Sequence, residues 1–172
     1  MIASIKTGVA LLAFAGLVGS APSRIAAAEK SAAEAAFERL KSLAGTWETL
    51  VDDKQRGVAT YTVTGGGKVV LEVMGGMATA YHVDKDTLML THYCGAGNQP
   101  RMRARSIGGD GRHIAFQMYD ITNHPNPRTS NYSNALDVRF AEDGSAELGF
   151  KSTDGSSQTF RLVKRLSSSA TR

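Results

Sequence analysis

Cysteine is nearly absent from this chain: Cys94 is the only one, and that scarcity excludes a disulfide-stapled fold. A single cysteine cannot close an internal disulfide, so the free energy of folding has to come from packing. Because Cys94 is also far from the amino terminus, no cysteine is placed there to accept a lipid, and a lipoprotein is not expected.

Runs of like charge, internal repeats, domain linkers and common catalytic motifs are also missing. The net charge of +4 is spread along the chain without a basic helix, which argues against nucleic acid as a partner. The motifs G-x-S-x-G, H-E-x-x-H and the P-loop do not occur, so the enzyme classes that they define are excluded. At 172 residues, the chain is expected to form one domain with a single core.

One apolar run, Thr7–Val18, follows a short segment that carries Lys6. It is too short to span a bilayer stably and is typical of a Sec-type signal peptide, although a retained membrane anchor is the alternative. We therefore predict a signal peptide over residues 1–28, cut between Ala21 and Ala28, and a periplasmic or secreted protein with no membrane span after processing. Removing residues 1–28 takes away two basic residues and no acid, which lowers the net charge from +4 to +2.

The mature chain, residues 29–172, is expected to begin with one helix over Ser31–Leu43. Ser31 and Glu34 have the spacing of a capping box, and the apolar residues after them fall on one stripe. Gly45 is expected to end this helix.

Beyond Gly45 the apolar period changes to two, and turn residues separate short runs. The predicted strands lie near Trp47–Val51, Val58–Thr64, Val69–Met74, Ala78–Val83, Thr87–Tyr93, Arg101–Ile107, His113–Ile121, Ala135–Phe140, Ala146–Lys151 and Thr159–Arg165. No crossover helices separate them, so we expect an antiparallel meander that closes to remove its edges. The predicted fold class is mainly β: an antiparallel up-and-down β-barrel of about ten strands with one short N-terminal helix.

Three segments of the mature chain carry a family resemblance: AFERLKSLAGTWE, YHVDKDTLMLTHYCGAGNQPRMRA and DITN. Together they resemble a group of uncharacterised exported bacterial proteins with a lipocalin-like, calycin-type domain. The resemblance implies that Trp47 plugs the barrel floor and that Arg161 or Arg165 stacks over it by a cation–π contact. Relatives in that group often carry histidines after the DITN-like segment, where this chain has Asn131, Tyr132 and Ser133, which argues against metal or haem in that loop.

The candidate site is the segment Thr91–Arg105, which combines a histidine, the cysteine and alternating arginines. In an up-and-down barrel the ends of neighbouring strands share one rim. The residues that meet at this mouth are His92, Cys94, Asn98, Gln99, Arg101, Asp120, Asn123 and His124. His82 falls at the opposite rim, and at about 3.3 Å per residue this distance excludes a His82–His92 metal pair.

Apolar alternation on their strands predicts that His92, Cys94 and Asp120 point into the barrel. The sequence leaves open whether the side chains of Arg101, Arg103 and Arg105 point into the barrel or toward solvent. A four-residue hairpin loop would turn them inward, and a one-residue bulge would turn them toward solvent. Structural alternatives also stay open: a solvated arginine face, a Cys94 that is only a small buried hydrophobe, and an Asp120–Arg101 ion pair.

The leading functional prediction is a barrel that binds a small, partly apolar ligand at this mouth, without catalysis and without a metal site. The predicted ligand-binding residues are His92, Tyr93, Cys94, Asn98, Gln99, Arg101, Asp120 and Asn123. Two alternatives remain, namely haem or metal binding through His92, and an enzyme that uses Cys94 with His92 and Asp120. The sequence indicates no particular cofactor.

Overall fold

The computed structural model describes residues 30–124, 126 and 131–164. The predicted signal peptide over residues 1–28 lies outside this part of the chain, as does Arg165. Among the described residues there is no helix with the length and apolar character needed to cross a membrane.

Helix α1 spans Ala32–Lys41 and begins with the predicted capping box. The Glu34 backbone N–H donates to the Ser31 hydroxyl at 3.2 Å, and the Ser31 N–H donates back to the Glu34 carboxylate at 2.9 Å. The helix ends before the predicted Leu43. Gly45 does not end it but begins the first strand, with a φ of +126° that favours glycine.

Within the described residues, ten antiparallel strands form a closed barrel in which each strand pairs with its neighbour in the chain and the first pairs with the last. The strands are β1 Gly45–Val51, β2 Lys54–Thr64, β3 Val69–Met74, β4 Met77–Asp84, β5 Thr87–Tyr93, β6 Gln99–Ile107, β7 His113–Thr122, β8 Ser133–Phe140, β9 Ala146–Ser152 and β10 Ser157–Lys164. This confirms the predicted fold class. Strand β2 begins before the predicted Val58, because its first residues, Lys54, Gln55 and Arg56, are exposed and show no apolar alternation.

Helix α1 covers the end of the barrel at which β1 begins, which we call the closed end. Phe37 and Leu40 of the helix belong to the same buried cluster as the barrel core. The β6–β7 hairpin contacts the helix at Gly111, where an added Cβ would lie 3.0 Å from the backbone nitrogen of Ala36. The opposite end carries no helix among the described residues, and we call it the open end.

Trp47 lies in the core at the closed end, and its indole N–H donates to the Leu43 carbonyl at 2.6 Å. The prediction that Arg161 stacks over this ring is wrong. Arg161 pairs with Leu50 in the β1–β10 register and makes an ion pair with Asp53, whereas the basic residue in register with Trp47 is Lys164.

The barrel interior between the two ends is filled by side chains. Tyr81, Leu90, Met102, Leu148 and Leu162 point inward and are at most 1% exposed. Since the middle of the barrel is packed, space for a ligand has to lie near an end.

Candidate ligand cavity at the open end

A cavity of about 240 Å³ lies at the open end of the barrel. Its wall is made by Met74, Met77, His92, Cys94, Ser133, Phe150, Ser152, Ser156, Ser157, Gln158 and Phe160. Apolar side chains from β3, β4, β9 and β10 therefore face hydroxyl and amide groups from β8, the end of β9 and the start of β10.

His92 is the most deeply buried polar residue of this wall, with 4% exposure. Its Nδ1 lies 3.0 Å from the Thr79 hydroxyl, and its ring centroid lies 5.7 Å from that of Phe150. Burial lowers the pKa of His92, which favours the neutral ring at neutral pH. Because Thr79 engages Nδ1, the Nε2 atom is the ring nitrogen left to bond a guest in the cavity.

A buried carboxyl group lies deeper in the interior, at Glu72 of β3. The side chain is 2% exposed and accepts a hydrogen bond of 2.7 Å from the Tyr81 hydroxyl. Burial raises the pKa of Glu72, although its tyrosine neighbours Tyr81 and Tyr61 oppose the shift. The Tyr61 hydroxyl is buried and makes no hydrogen bond to the described residues.

Of the predicted site residues, His92 and Cys94 line the cavity, as the alternation on β5 predicts. Tyr93 lies between them on the outer face of the barrel and is 49% exposed. The remaining predicted residues lie on the turn after β5 or on the outer side of the rim, and of these only Arg101 and Asp120 pair with each other through their side chains.

The turn from Cys94 to Asn98 is closed by two backbone hydrogen bonds. The Cys94 N–H donates to the Asn98 carbonyl at 3.0 Å, and the Gly97 N–H donates to the Cys94 carbonyl at 2.9 Å. Asn98 is 5% exposed, and its side-chain oxygen makes no hydrogen bond to the described residues. The position of Cys94 in the cavity wall is thus set by the backbone of this turn.

The same turn is tied to the end of β7 by side chains, an arrangement that we call the rim clasp. The Gly97 carbonyl accepts from the Gln99 amide at 2.8 Å and from the Asn123 amide at 2.5 Å. The Thr122 hydroxyl donates to the Gln99 side-chain oxygen at 3.1 Å. Gln99 and Asn123 therefore support the mouth of the barrel and do not line the cavity.

Asp120 points outward and makes an ion pair with Arg101, so the prediction that Asp120 faces the interior is wrong. In the β6–β7 register, Arg101 pairs with Asp120 while Met102 pairs with Met118. Tyr119 is therefore an extra residue without a partner on β6. Such a bulge reverses the facing of the residues that follow it.

A second bulge lies on β6, where Ala104 pairs with Phe116 and Ser106 with Ala115. This leaves Arg105 as the extra residue. Arg103 and Arg105 are exposed, and the arginine row faces solvent, which is the bulged alternative left open by the sequence.

His124 also stays outside the cavity, with its ring edge-on to Tyr132 at 4.9 Å between centroids. Since Asp120 faces outward, the three residues considered for an enzyme do not converge. Among the described residues, His, Cys, Asp and Glu side chains do not gather in groups of three or more with metal-binding geometry.

Sequence reasoning did not identify the methionines of β3 and β4 or the wall from β8 to β10. The available signal was parity: Met74, Met77 and Phe150 are at inward positions of strands that end or begin at the same rim.

A groove of about 300 Å³ lies outside the barrel between α1 and the turns near Lys68 and Lys85. Its charged side chains are mostly exposed, and Lys41 pairs with Glu38 at 2.9 Å. Exposed pairs of this kind are screened by solvent, so the open-end cavity is the stronger candidate.

Comparison of the chain with models of known protein families and with curated proteins finds no match.

Proposed function

We propose that this chain is an exported, lipocalin-like barrel that binds a small, partly apolar ligand in the cavity at the open end. The observation that carries the proposal is a cavity of about 240 Å³ whose wall contains a nearly buried histidine with one ring nitrogen uncommitted. Ligand sites commonly combine an apolar wall with a few placed polar groups.

The chemistry of the wall indicates the class of ligand. Phe150, Phe160 and the two methionines offer apolar surface, while the serines and Gln158 offer hydroxyl and amide groups on the other side. Nε2 of His92 donates or accepts according to the tautomer, and a ligand hydroxyl group matches either state. We therefore expect a compact molecule with an apolar body and a hydroxyl or carbonyl group.

The size of the cavity separates this proposal from haem binding through His92. Drug-sized ligands occupy cavities of roughly 300–1,000 Å³, and a cavity of about 240 Å³ lies below that range. A porphyrin is considerably larger than this space, so the small ligand is the better fit. A periplasmic or secreted location is part of the same proposal and rests on the predicted signal peptide.

Native mass spectrometry of protein purified from its own host tests the proposal. We expect an adduct that is retained in Ser106→Trp, on the outer side of β6, and lost in Ser152→Trp, where the indole would fill the cavity. An unliganded wild-type protein that also fails to bind a fluorescent apolar probe, 1-anilinonaphthalene-8-sulfonate, would overturn it. So would an adduct that survives in Ser152→Trp.

A further inference from the structure

Four side chains with soft donor atoms lie on one wall of the open-end cavity: Met74, Met77, His92 and Cys94. Met74 at the end of β3 and Met77 at the start of β4 are register partners. Ala78 pairs with Tyr93 at the end of the β4–β5 pairing, and Met77 and Cys94 are the next residues beyond that pair. The three sulfur-bearing residues thus form one cross-strand row.

All members of this row face inward. Alternate residues of a strand point to the same side, and each member of the row lies two positions from a buried inward residue. The pairs are Met74 with Glu72, Met77 with Thr79, and Cys94 with His92. Side chains directly opposite each other on adjacent antiparallel strands have Cβ atoms about 4.5–5.5 Å apart. Flexible thioether side chains can bring their sulfur atoms to a common point across such spacings.

Met77 lies beside two glycines of the rim. An ideal Cβ at Gly95 would lie 3.7 Å from Cγ of Met77, and one at Gly75 would lie 3.9 Å from its terminal methyl. The sulfur atom is bonded to both of these carbons, and Met77 lines the cavity together with Cys94. His92 lies one step deeper on the same face as Cys94, with Nδ1 held by Thr79.

We propose that this row and His92 form a binding site for a soft monovalent metal ion, Cu(I). Thioether, thiolate and imidazole ligands together select Cu(I), whereas carboxylate-rich sites suit harder ions. In the tautomer that binds metal, Nδ1–H donates to the Thr79 hydroxyl oxygen, which orients the ring and leaves the lone pair of Nε2 for the metal ion. Cys94 binds as the thiolate and releases its thiol proton to solvent when the metal enters.

This site shares the cavity, the methionines and Nε2 of His92 with the small-ligand site of the proposed function, so the metal ion and the organic ligand compete for the same space. The two proposals fail by different results. A missing organic adduct in native mass spectrometry contradicts the small ligand, and a wild-type protein that withdraws no Cu(I) contradicts the metal site.

The test is competition for Cu(I) against the chelator bicinchoninate under reducing, oxygen-free conditions. We expect the wild-type protein to withdraw one equivalent of Cu(I) from the coloured chelator complex. Met74→Leu and Met77→Leu nearly conserve volume and should each weaken binding at least tenfold, with Cys94→Ser and His92→Gln weakening it further. The matched controls Met89→Leu, on the outer face, and His113→Gln, at the closed end, should bind like wild type.

A measurement on the unmodified sequence removes any dependence on variants that fold poorly. With ¹³C-labelled methionine methyl groups, addition of Ag(I) as a redox-stable substitute should shift the resonances of Met74 and Met77 and leave Met89 in place. The proposal is overturned if the wild type withdraws no Cu(I), or if Cys94→Ser alone abolishes binding while both leucine variants bind normally. Equal competition by Zn(II) would also overturn it, since thioethers contribute little to a Zn(II) site.

Discussion

The Thr79 hydroxyl lies 3.0 Å from Nδ1 of His92, and the two residues are direct register partners across β4 and β5. Both side chains are nearly inaccessible to solvent, at 1% and 4% exposure. A buried histidine that is bonded through one nitrogen has a defined ring plane. The pair therefore determines which ring atom faces the cavity before any ligand arrives.

Because burial lowers the pKa of His92 from its ordinary value of 6.5, the histidine should make stability depend on pH. As the pH falls below 6.5, the unfolded chain takes up a proton that the folded chain resists, so the folded state loses stability. We therefore compare the free energy of unfolding of wild type with that of His92→Gln. The difference, wild type minus variant, should decrease as the pH falls from about 7.5 to about 5. Urea unfolding measures it, and a difference that stays constant with pH would contradict the burial argument.

Glu72 should act in the opposite direction, because burial raises the pKa of its carboxyl group. The protonated carboxyl group adds to the free energy of unfolding. This contribution is complete below the ordinary pKa of 4.5 and is lost as the pH rises through the pKa of the folded state. Glu72→Gln retains an acceptor for the Tyr81 hydroxyl and cannot ionise. We expect the stability of this variant relative to wild type to increase as the pH rises above 4.5.

Glu72→Leu is the matched control for that prediction. It removes the acceptor and leaves the buried Tyr81 hydroxyl unpaired, which costs about 1–3 kcal/mol at every pH. Unfolding of both variants by urea across the pH range distinguishes charge from hydrogen bonding. If Glu72→Gln and wild type keep parallel stability curves above pH 4.5, the carboxyl group does not titrate as the burial argument requires.

Asn123 should stabilise the rim clasp through its bond to the Gly97 carbonyl. Its φ of +51° is in the left-handed region, where asparagine is tolerated better than alanine. Asn123→Ala loses the bond and keeps the unfavourable backbone, so we expect a loss of about 1–2 kcal/mol in thermal or urea unfolding. Asn123→Gly relieves the backbone and loses only the bond. It should fall between wild type and the alanine variant, and an alanine variant as stable as wild type would contradict a stabilising bond.

Gly111 should be indispensable for seating the β6–β7 hairpin against α1. Its φ is +72°, and an added Cβ would lie 3.0–3.1 Å from the helix backbone at Ala35 and Ala36. Overpacking costs about 1–3 kcal/mol, to which a left-handed backbone adds about 1–2 kcal/mol. Gly111→Ala is therefore expected to lower the melting temperature. Gly109→Ala, in the same hairpin with no neighbour within 4 Å, should change it little, and equal effects would argue against the contact.

The architecture could be predicted from the sequence because it depends on repeated, local patterns. Alternation of apolar residues gave all ten strands, and Ser31 with Glu34 gave the start of the helix. The placement of His92 and Cys94 followed from the same alternation and from strand order. These features are decided by many residues together, so errors at one position do not change them.

The features that were not predicted depend on single residues or on distant partners. The bulge at Tyr119 has no glycine or proline to mark it, yet it turns Asp120 from the interior to the ion pair with Arg101. The position of Arg161 depends on the register between the first and last strands, which no local pattern reports. Glu72 stands in a run of apolar residues, and the burial of its carboxyl group follows from tyrosines on two other strands.

The rim clasp joins two of the segments that carry the lipocalin-like resemblance, since Gly97 and Gln99 belong to one and Asn123 to the other. Much of the cavity wall comes from elsewhere in the chain, from β3 and from β8 to β10. Proteins that carry these segments would therefore share the support of the mouth, while their cavity walls remain free to differ. A comparison of two such barrels at the positions of Met74, Ser152 and Phe160 would show whether their cavities have the same wall.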